Sequence, residues 1–180
     1  MENTKKDKEE HCCSEGFYNT FLSQREKENF MQRAIELSNF GMENNYGGPF
    51  GAVVVKDGKI IGEGFNKVIS SNDPTAHAEI VAIREASKNI NNFDLSGSFI
   101  FASCEPCPMC LAAIYWANVD EIYFANTKTD AACIGFRDDF IYSEFDKNSD
   151  KREKKCSQIL HVEAKKVFDL WASKQDKVEY

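Results

Sequence analysis

Between Tyr46 and Asn66 the chain reads "YGGPFGAVVVKDGKIIGEGFN", two runs of β-branched and aliphatic residues separated by Asp57 and Gly58. Asp-Gly is favoured in tight hairpin turns because both residues tolerate a positive φ. The stretch therefore predicts two antiparallel strands. Before it, apolar residues recur at spacings of three and four between residues 25 and 44, a pattern that predicts an amphipathic helix.

After the hairpin, helix and strand patterns alternate. Residues 73–86, "DPTAHAEIVAIREA", open with helix start signals and continue as an apolar face of helical period. Strand-like "GSFIFAS" (97–103), helix-like "PMCLAAIYWANV" (108–119) and strand-like "EIYFAN" (121–126) follow. This alternation predicts a layered α/β domain with a mixed sheet between helices.

The two ends of the chain differ in pattern. Residues 1–24 are charged and poorly periodic, so we expect a mobile leader, and residues 25–180 are expected to form the folded domain. Residues 136–155 follow neither period and are interpreted as short helices and loop. Residues 162–175, "VEAKKVFDLWASKQ", predict a final helix docked through one apolar face, formed by Ala164, Val167, Phe168 and Trp171.

Length and charge limit the classes of partner. A chain of 180 residues is sufficient for one domain with a sizeable core. A net charge of −7 argues against an extended nucleic-acid surface, so a small-molecule substrate is favoured. No apolar run approaches the roughly 18 residues of a membrane span, and no signal-peptide core is present. We therefore expect no membrane partner and a location in the cytoplasm or nucleus.

Four residues suggest a metal site. Cys107 and Cys110 are three apart at the start of a predicted helix, where the helix N-terminus favours thiolates. With His77 they supply three ligands for one zinc ion per subunit, which leaves a fourth position for water or hydroxide. Zinc lowers the pKa of such a water to about 7. Glu79 is the expected proton carrier, with His77 in the irregular first turn of its helix.

Each half of this pattern has a simpler explanation. Cys-x-x-Cys can be a redox pair or half of a structural zinc site, and His-x-Glu also occurs by chance. Together, His77-Ala78-Glu79 and "PCPMC" (106–110) match a known signature of zinc-dependent nucleobase deaminases. The remaining cysteines of the domain are interpreted as packed residues without a metal role: Cys104, Cys133 and Cys156.

Five stretches between residues 30 and 180 together carry a family resemblance: "GGPFGAVVVKDGKIIGEGFN", "SNDPTAHAE", "SCEPCPMCLAAIYWA", "TDAACIGFRDDFIYSE" and the terminal "VEY". Through them the chain resembles guanine deaminases of the cytidine-deaminase-like fold. Transfer-RNA adenosine deaminases also resemble "DPTAHAE" and "EPCxMC", so "GFRDDFIY" and the aromatic chain end carry the distinction. The resemblance implies a three-layer α/β/α domain with a mixed five-stranded sheet.

The resemblance also implies a reaction. Zinc-bound hydroxide would attack C2 of guanine and release ammonia, leaving xanthine. Glu79 would move the water proton to the adjacent ring nitrogen, and Asp138 matches the acid that assists the departing amine. The family pattern resembles Phe-Asp-Asp-Ser where this chain has "FRDD" (136–139), so Asp139 could hold that role instead, and Arg137 adds a positive charge.

Four further residues are implied for the substrate. Asn66 matches the amide that holds the purine edge, while Phe50 and Trp116 could form the walls of a flat slot or belong to the core. In the family the C-terminal segment closes the pocket, often that of the neighbouring subunit in a swapped homodimer. Tyr180 would then lie near the substrate, unless the chain end is frayed.

Three other functions stay open. A guanosine deaminase would need room for a ribose. A transfer-RNA adenosine deaminase could use the basic cluster of residues 151–155, although Glu153 interrupts it. A catalytically silent zinc scaffold would have no use for Glu79, which is not a predicted metal ligand.

Overall fold

The computed structural model describes residues 22–136 and 138–179. The helices and strands of this part follow one another along the chain as α1 (Gln24–Glu43), β1 (Gly51–Lys56), β2 (Lys59–Phe65), α2 (Val68–Ser71), α3 (Ala78–Ile90), β3 (Ser98–Cys104), α4 (Pro108–Trp116), β4 (Glu121–Asn126), α5 (Lys128–Cys133), α6 (Asp139–Phe145), a 3-10 turn (Ser149–Lys151) and α7 (His161–Ser173).

Most of the predicted leader lies outside the described residues. At its end, α1 begins with a capping box in which the Ser23 side chain accepts from the Glu26 N–H. In return, the Glu26 carboxylate accepts from the Ser23 N–H at 2.8 Å. This pair satisfies N–H groups that the first turn leaves free, which explains why α1 begins at this position.

Four strands form a mixed sheet in the order β2-β1-β3-β4. Strand β1 is antiparallel to β2 and β3, and β3 is parallel to β4. The predicted hairpin is confirmed, with Asp57 and Gly58 at φ of 51° and 70°. The expectation of five strands is wrong for the described residues. After β4 the chain enters α5 through a capping box of Thr127 and Asp130, so it continues as helix.

Helices cover both faces of the sheet, which confirms the α/β/α arrangement. Side chains of β1 alternate between the two faces. Val53 and Val55 pack with Leu37 of α1 and with Phe101. The opposite face packs against α3 and α4 through a second cluster: Ala52, Val54, Ala78, Ala82, Ala86, Ile100, Ala102 and Ile114.

Glycines of β2 bring the start of α3 onto the sheet. A Cβ at Gly64 would lie 2.1 Å from the Ala78 carbonyl oxygen, and one at Gly62 would lie 2.3 Å from that of Ala82. Only glycine permits so close an approach of helix and strand backbones. The first turn of α3 is thereby held beside the C-terminal end of β2, where Asn66 follows.

Helix α7 is not docked on the rest of the described chain, contrary to the expectation. Residues 161–173 are exposed throughout, and Phe168 and Trp171 on the predicted apolar face are 77% and 45% exposed. The amphipathic pattern alone cannot say which surface such a face covers. Here α1, α3 and α4 already cover both faces of the sheet.

Two smaller points concern the rest of the described chain. Cys133 and Cys156 are exposed, so the expectation that they fill space in the core is wrong.

No helix among the described residues is long and apolar enough to cross a membrane.

Candidate active site

His77 and Glu79 enter the same cavity although they are only two residues apart. His77 is the N-cap of α3 with extended backbone angles (φ −68°, ψ 157°), so its side chain precedes the helical spiral. Glu79 lies in the first turn and is 7% exposed. A regular helix would direct these two side chains to different faces, and the extended N-cap removes that restriction.

The two cysteines lie at the start of α4. Cys107 is its N-cap, Pro108 occupies the first helical position, and Cys110 is fully buried in the first turn. The Nδ1 atom of His77 is 3.6 Å from the Cys107 sulfur and 3.5 Å from the Cys110 sulfur. All three ligand atoms lie within 4.8 Å of one another. The structure therefore brings the three predicted metal ligands together.

These separations fit a tetrahedral zinc ion. With zinc bonds of roughly 2.3 Å to sulfur and 2.0–2.1 Å to nitrogen, sulfur and nitrogen ligands are about 3.6 Å apart. Two helix N-termini meet at the site, and their positive ends favour anionic ligands. A hydrogen bond with Cys110 lowers the pKa of Cys107 to about 4, and the same bond raises the pKa of Cys110. Zinc binding would displace the proton that the two sulfurs share.

A cavity of about 300 Å³ opens beside these ligands. Its lining includes His77, Glu79 and Cys107, together with Asn66 and Asp138. The volume lies at the lower end of the range for small-molecule sites. Chemically, the cavity combines metal ligands with one amide and three carboxylic acids, Glu79, Glu105 and Asp138.

Two of the carboxylic acids that line the cavity, Glu79 and Asp138, have raised pKa values. Burial raises the pKa of Glu79, and the neighbouring Cys107 adds to the effect. Burial also raises the pKa of Asp138, which is half-buried. Asp139 is exposed and does not line the cavity. Of the two aspartates left open by the sequence, Asp138 is thus the one that faces the cavity.

Asn66 is buried and held in one orientation. Its Oδ1 atom accepts a hydrogen bond from the Val68 N–H at 3.1 Å, which identifies the oxygen end of the amide. A Cβ at Gly47 would lie 2.1 Å from that oxygen, so the adjacent backbone leaves room only for glycine. Within the described residues the Nδ2 group has no hydrogen-bond partner. It can therefore donate to a ligand.

Two aromatic rings form an apolar part of the lining. Phe50 and Phe136 meet edge to face with their centroids 4.8 Å apart. A Cβ at Gly48 would lie 2.7 Å from the Phe136 ring, so the two rings pack over glycine backbone. The sequence indicated Phe50 but not Phe136, whose only signal was its position within "GFRDDFIY".

Of the predicted substrate residues that the structure describes, Trp116 is not brought to the cavity. Trp116 is 72% exposed and groups with Ala112 and Tyr115 on another surface. Tyr180 lies outside the described residues. Cys104, expected to be a packed residue, is buried but also lines the cavity, and burial raises its pKa to about 11. Its thiol is therefore protonated at neutral pH, unlike a metal ligand.

Two thiols, an imidazole and a buried carboxylic acid at adjoining helix N-termini are typical of zinc-dependent deaminases. Residues 24–126 match the cytidine and deoxycytidylate deaminase zinc-binding region, and the chain belongs to this family. Within it, the chain is 48% identical over 153 residues to guanine deaminase of Bacillus subtilis, a match that covers 85% of this chain and 98% of that one.

A solved structure and one further relative extend this comparison. The X-ray structure of guanine deaminase from Bacillus subtilis superposes with a TM-score of 0.83 at 46% identity, over 88% of this chain and 99% of that chain. A tRNA-specific adenosine deaminase of Buchnera aphidicola is 37% identical over 136 residues, 73% of this chain and 89% of that protein.

Proposed function

We propose that the protein hydrolyses guanine to xanthine and ammonia. The observation that carries the proposal is that one small cavity holds the metal-ligand set, two carboxylic acids with raised pKa values and an amide donor. The choice of guanine is supported by the similarity to guanine deaminase over nearly the whole length of that relative.

The chemistry divides among three groups. Zinc, held by His77, Cys107 and Cys110, would supply the acidity that makes a water molecule nucleophilic at neutral pH. Glu79 takes the proton of this water and delivers it to the ring nitrogen beside C2. Asp138 donates a proton to the departing amine and recovers one from the hydroxyl group on C2 as this becomes the carbonyl of xanthine. A carboxylic acid transfers protons best when its pKa is close to the working pH, and burial moves both acids in that direction.

The rest of the cavity suits a purine base. The Nδ2 group of Asn66 offers N–H donors, and guanine presents acceptors at O6 and N7. The Phe50 and Phe136 rings supply apolar surface for a flat molecule. We assign these three residues to substrate binding.

Action on transfer RNA receives less support. In the basic cluster of residues 151–155, the Arg152 guanidinium donates to the carbonyl oxygens of Glu144, Phe145 and Lys147. These bonds fold the loop on itself and leave fewer donors for phosphate. The net charge of −7 also disfavours binding to the phosphates of an RNA.

The substrate is tested by offering the purified, zinc-loaded protein guanine, guanosine, adenine, cytosine and an adenosine-bearing anticodon stem-loop in parallel. We expect ammonia release and xanthine formation from guanine alone. Turnover confined to guanosine or to the RNA would contradict the choice of substrate while retaining the metal site. If no compound released ammonia, the catalytically silent scaffold would become the better interpretation.

We further propose a homodimer in which the apolar face of α7 packs on a second copy, whose C-terminal segment would close the neighbouring cavity. The support is an amphipathic helix with an uncovered face, on which Val167 and Phe168 are 63% and 77% exposed. Because reduced cysteines are required at the metal site, we also propose a cytoplasmic location. Residues 25–180 would act as one deaminase domain.

The dimer predicts a solution mass of about twice 20.4 kDa by light scattering. Phe168→Ser should weaken self-association by roughly 10- to 100-fold, because buried aromatic side chains dominate such interfaces. Asp169→Ser is the matched control, since Asp169 is paired with Lys165 at 2.6 Å within α7. A wild-type mass of 20.4 kDa at all concentrations would contradict the proposal.

A further inference from the structure

Tyr142 connects the backbone at Asp138 to residues 105–107, the loop that ends at the metal ligand Cys107 and that we call the metal-ligand loop. It lies one turn into α6, and its N–H donates to the Asp138 carbonyl oxygen at 3.3 Å. Its hydroxyl donates to the Pro106 carbonyl oxygen at 3.4 Å. Pro106 directly precedes Cys107. Tyr142 therefore links the start of α6, where Asp138 lies, to the residue that precedes the metal ligand Cys107.

A second pair of residues holds the Tyr142 ring in place. The Lys128 ammonium lies 5.1 Å from the ring centroid, a cation–π contact. Lys128 is itself fixed by Glu105, whose carboxylate accepts from the Lys128 N–H at 3.1 Å and lies 3.9 Å from its ammonium. Glu105 belongs to the same loop as Pro106. The ring is thus attached to this loop by its hydroxyl and by its face.

Four other residues of α6 are exposed or form hydrogen bonds elsewhere. Phe140 and Phe145 are 46% and 61% exposed. The Ser143 hydroxyl donates within the helix, to the carbonyl oxygen of Phe140. Glu144 bonds to Lys147 and to the N–H of Glu153, in the loop that follows. These bonds stabilise α6 internally, whereas the Tyr142 hydroxyl bonds across to the metal-ligand loop.

We propose that Tyr142 is a positioning residue that sets the distance of Asp138 from the metal-ligand loop. The proposal rests on the function proposed above, in which Asp138 protonates the departing amine. Proton transfer needs the acid within hydrogen-bonding reach of that amine. A misplacement of about 1 Å can cost on the order of 100-fold in rate. Loss of the hydroxyl would free α6 to move Asp138 by such an amount.

The test is Tyr142→Phe, which removes the hydroxyl and keeps the ring. We expect kcat for guanine to fall by about 10- to 100-fold, with KM within roughly 3-fold of wild type and with full zinc content. Lys128→Met, which removes the cation over the ring, should lower kcat in the same direction by less. A merely structural role would instead lower stability and zinc content, or raise KM together with the fall in kcat.

Tyr123→Phe is the matched control. Its hydroxyl donates to Glu121 at 2.5 Å, and the Lys27 ammonium lies 4.6 Å from its ring centroid, so its surroundings resemble those of Tyr142. Strand β4 holds it away from the cavity. Loss of the Tyr123 hydroxyl should leave kcat unchanged. A kcat for Tyr142→Phe equal to that of this control would overturn the proposal.

A cycle with Asp138→Asn separates the positioning role from the role of Asp138 itself. If Tyr142 acts through Asp138, Tyr142→Phe should cause little further loss in the Asp138→Asn background. An equal loss in both backgrounds would overturn the positioning role. Wild-type turnover by Asp138→Asn would contradict the proposed function of Asp138, and with it the premise of this inference.

Discussion

Glu79→Gln is expected to reduce guanine turnover by about 100- to 10,000-fold while zinc content stays at one ion per chain. Glutamine has the same size and still forms hydrogen bonds, but it cannot take up and release a proton. Glu79 is buried beside His77 and Cys110 in the cavity, and burial raises its pKa. The change therefore removes proton transfer and preserves the shape of the site. Zinc analysis and steady-state kinetics on one preparation measure both effects.

Glu63→Gln is a suitable control for the loss of a glutamate. Glu63 forms a two-point ion pair with Arg33, each bond 2.8 Å long, at a distance from the cavity. Partly exposed pairs of this kind contribute about 1 kcal/mol or less, so this variant should keep its activity. Loss of zinc from Glu79→Gln would mean that Glu79 helps to hold the metal. Near-normal turnover would mean that another group moves the proton.

Cys110→Ser is expected to lose zinc and turnover together. Cys110 is fully buried, and its sulfur is 3.5 Å from Nδ1 of His77. Serine places a shorter, neutral hydroxyl where a thiolate would bind. Changes in residues that only support a metal ligand already cost roughly 10- to 100-fold in affinity, so loss of a ligand should cost more. Zinc titration against a chelating dye would measure the affinity.

Cys104→Ser provides the comparison, because Cys104 is also a buried cysteine that lines the cavity. Its sulfur donates to the Thr127 carbonyl oxygen at 3.6 Å and does not belong to the ligand group. This variant should keep stoichiometric zinc. If it lost zinc while Cys110→Ser kept it, the ligand assignment would be wrong.

The fold could be predicted where local patterns govern the backbone. The Asp57-Gly58 turn fixed where the first hairpin reverses, because few residue pairs adopt its backbone angles. Helix α4 begins at Pro108, because the first position of a helix tolerates a proline, which lacks the N–H group. The fifth strand was taken from the resemblance and is not found among the described residues. The docking of α7 failed because amphipathicity indicates that a face is to be covered, without indicating by what.

Some residues of the candidate site could likewise be predicted from local patterns, and others could not. Metal ligands must have specific donor atoms at short spacings around a helix start, so His77, Cys107 and Cys110 were visible in the sequence. The sequence analysis did not identify Phe136, which lines the cavity, and it placed Trp116 there although Trp116 is exposed on another surface. The type of an aromatic residue does not indicate whether it lines a pocket, belongs to the core or lies on the surface. Such positions depend on packing between distant segments.

By itself the sequence determined which groups are available for chemistry here, since residue type and local spacing settle donor atoms, turns and helix starts. Tertiary structure alone decided which groups meet. Only the folded chain shows that Asp138 rather than Asp139 faces the cavity, that Asn66 presents its N–H group, and that Tyr142 reaches Pro106. Those contacts join residues up to 36 positions apart. Their geometry depends on the packing of the whole domain, which no local pattern encodes.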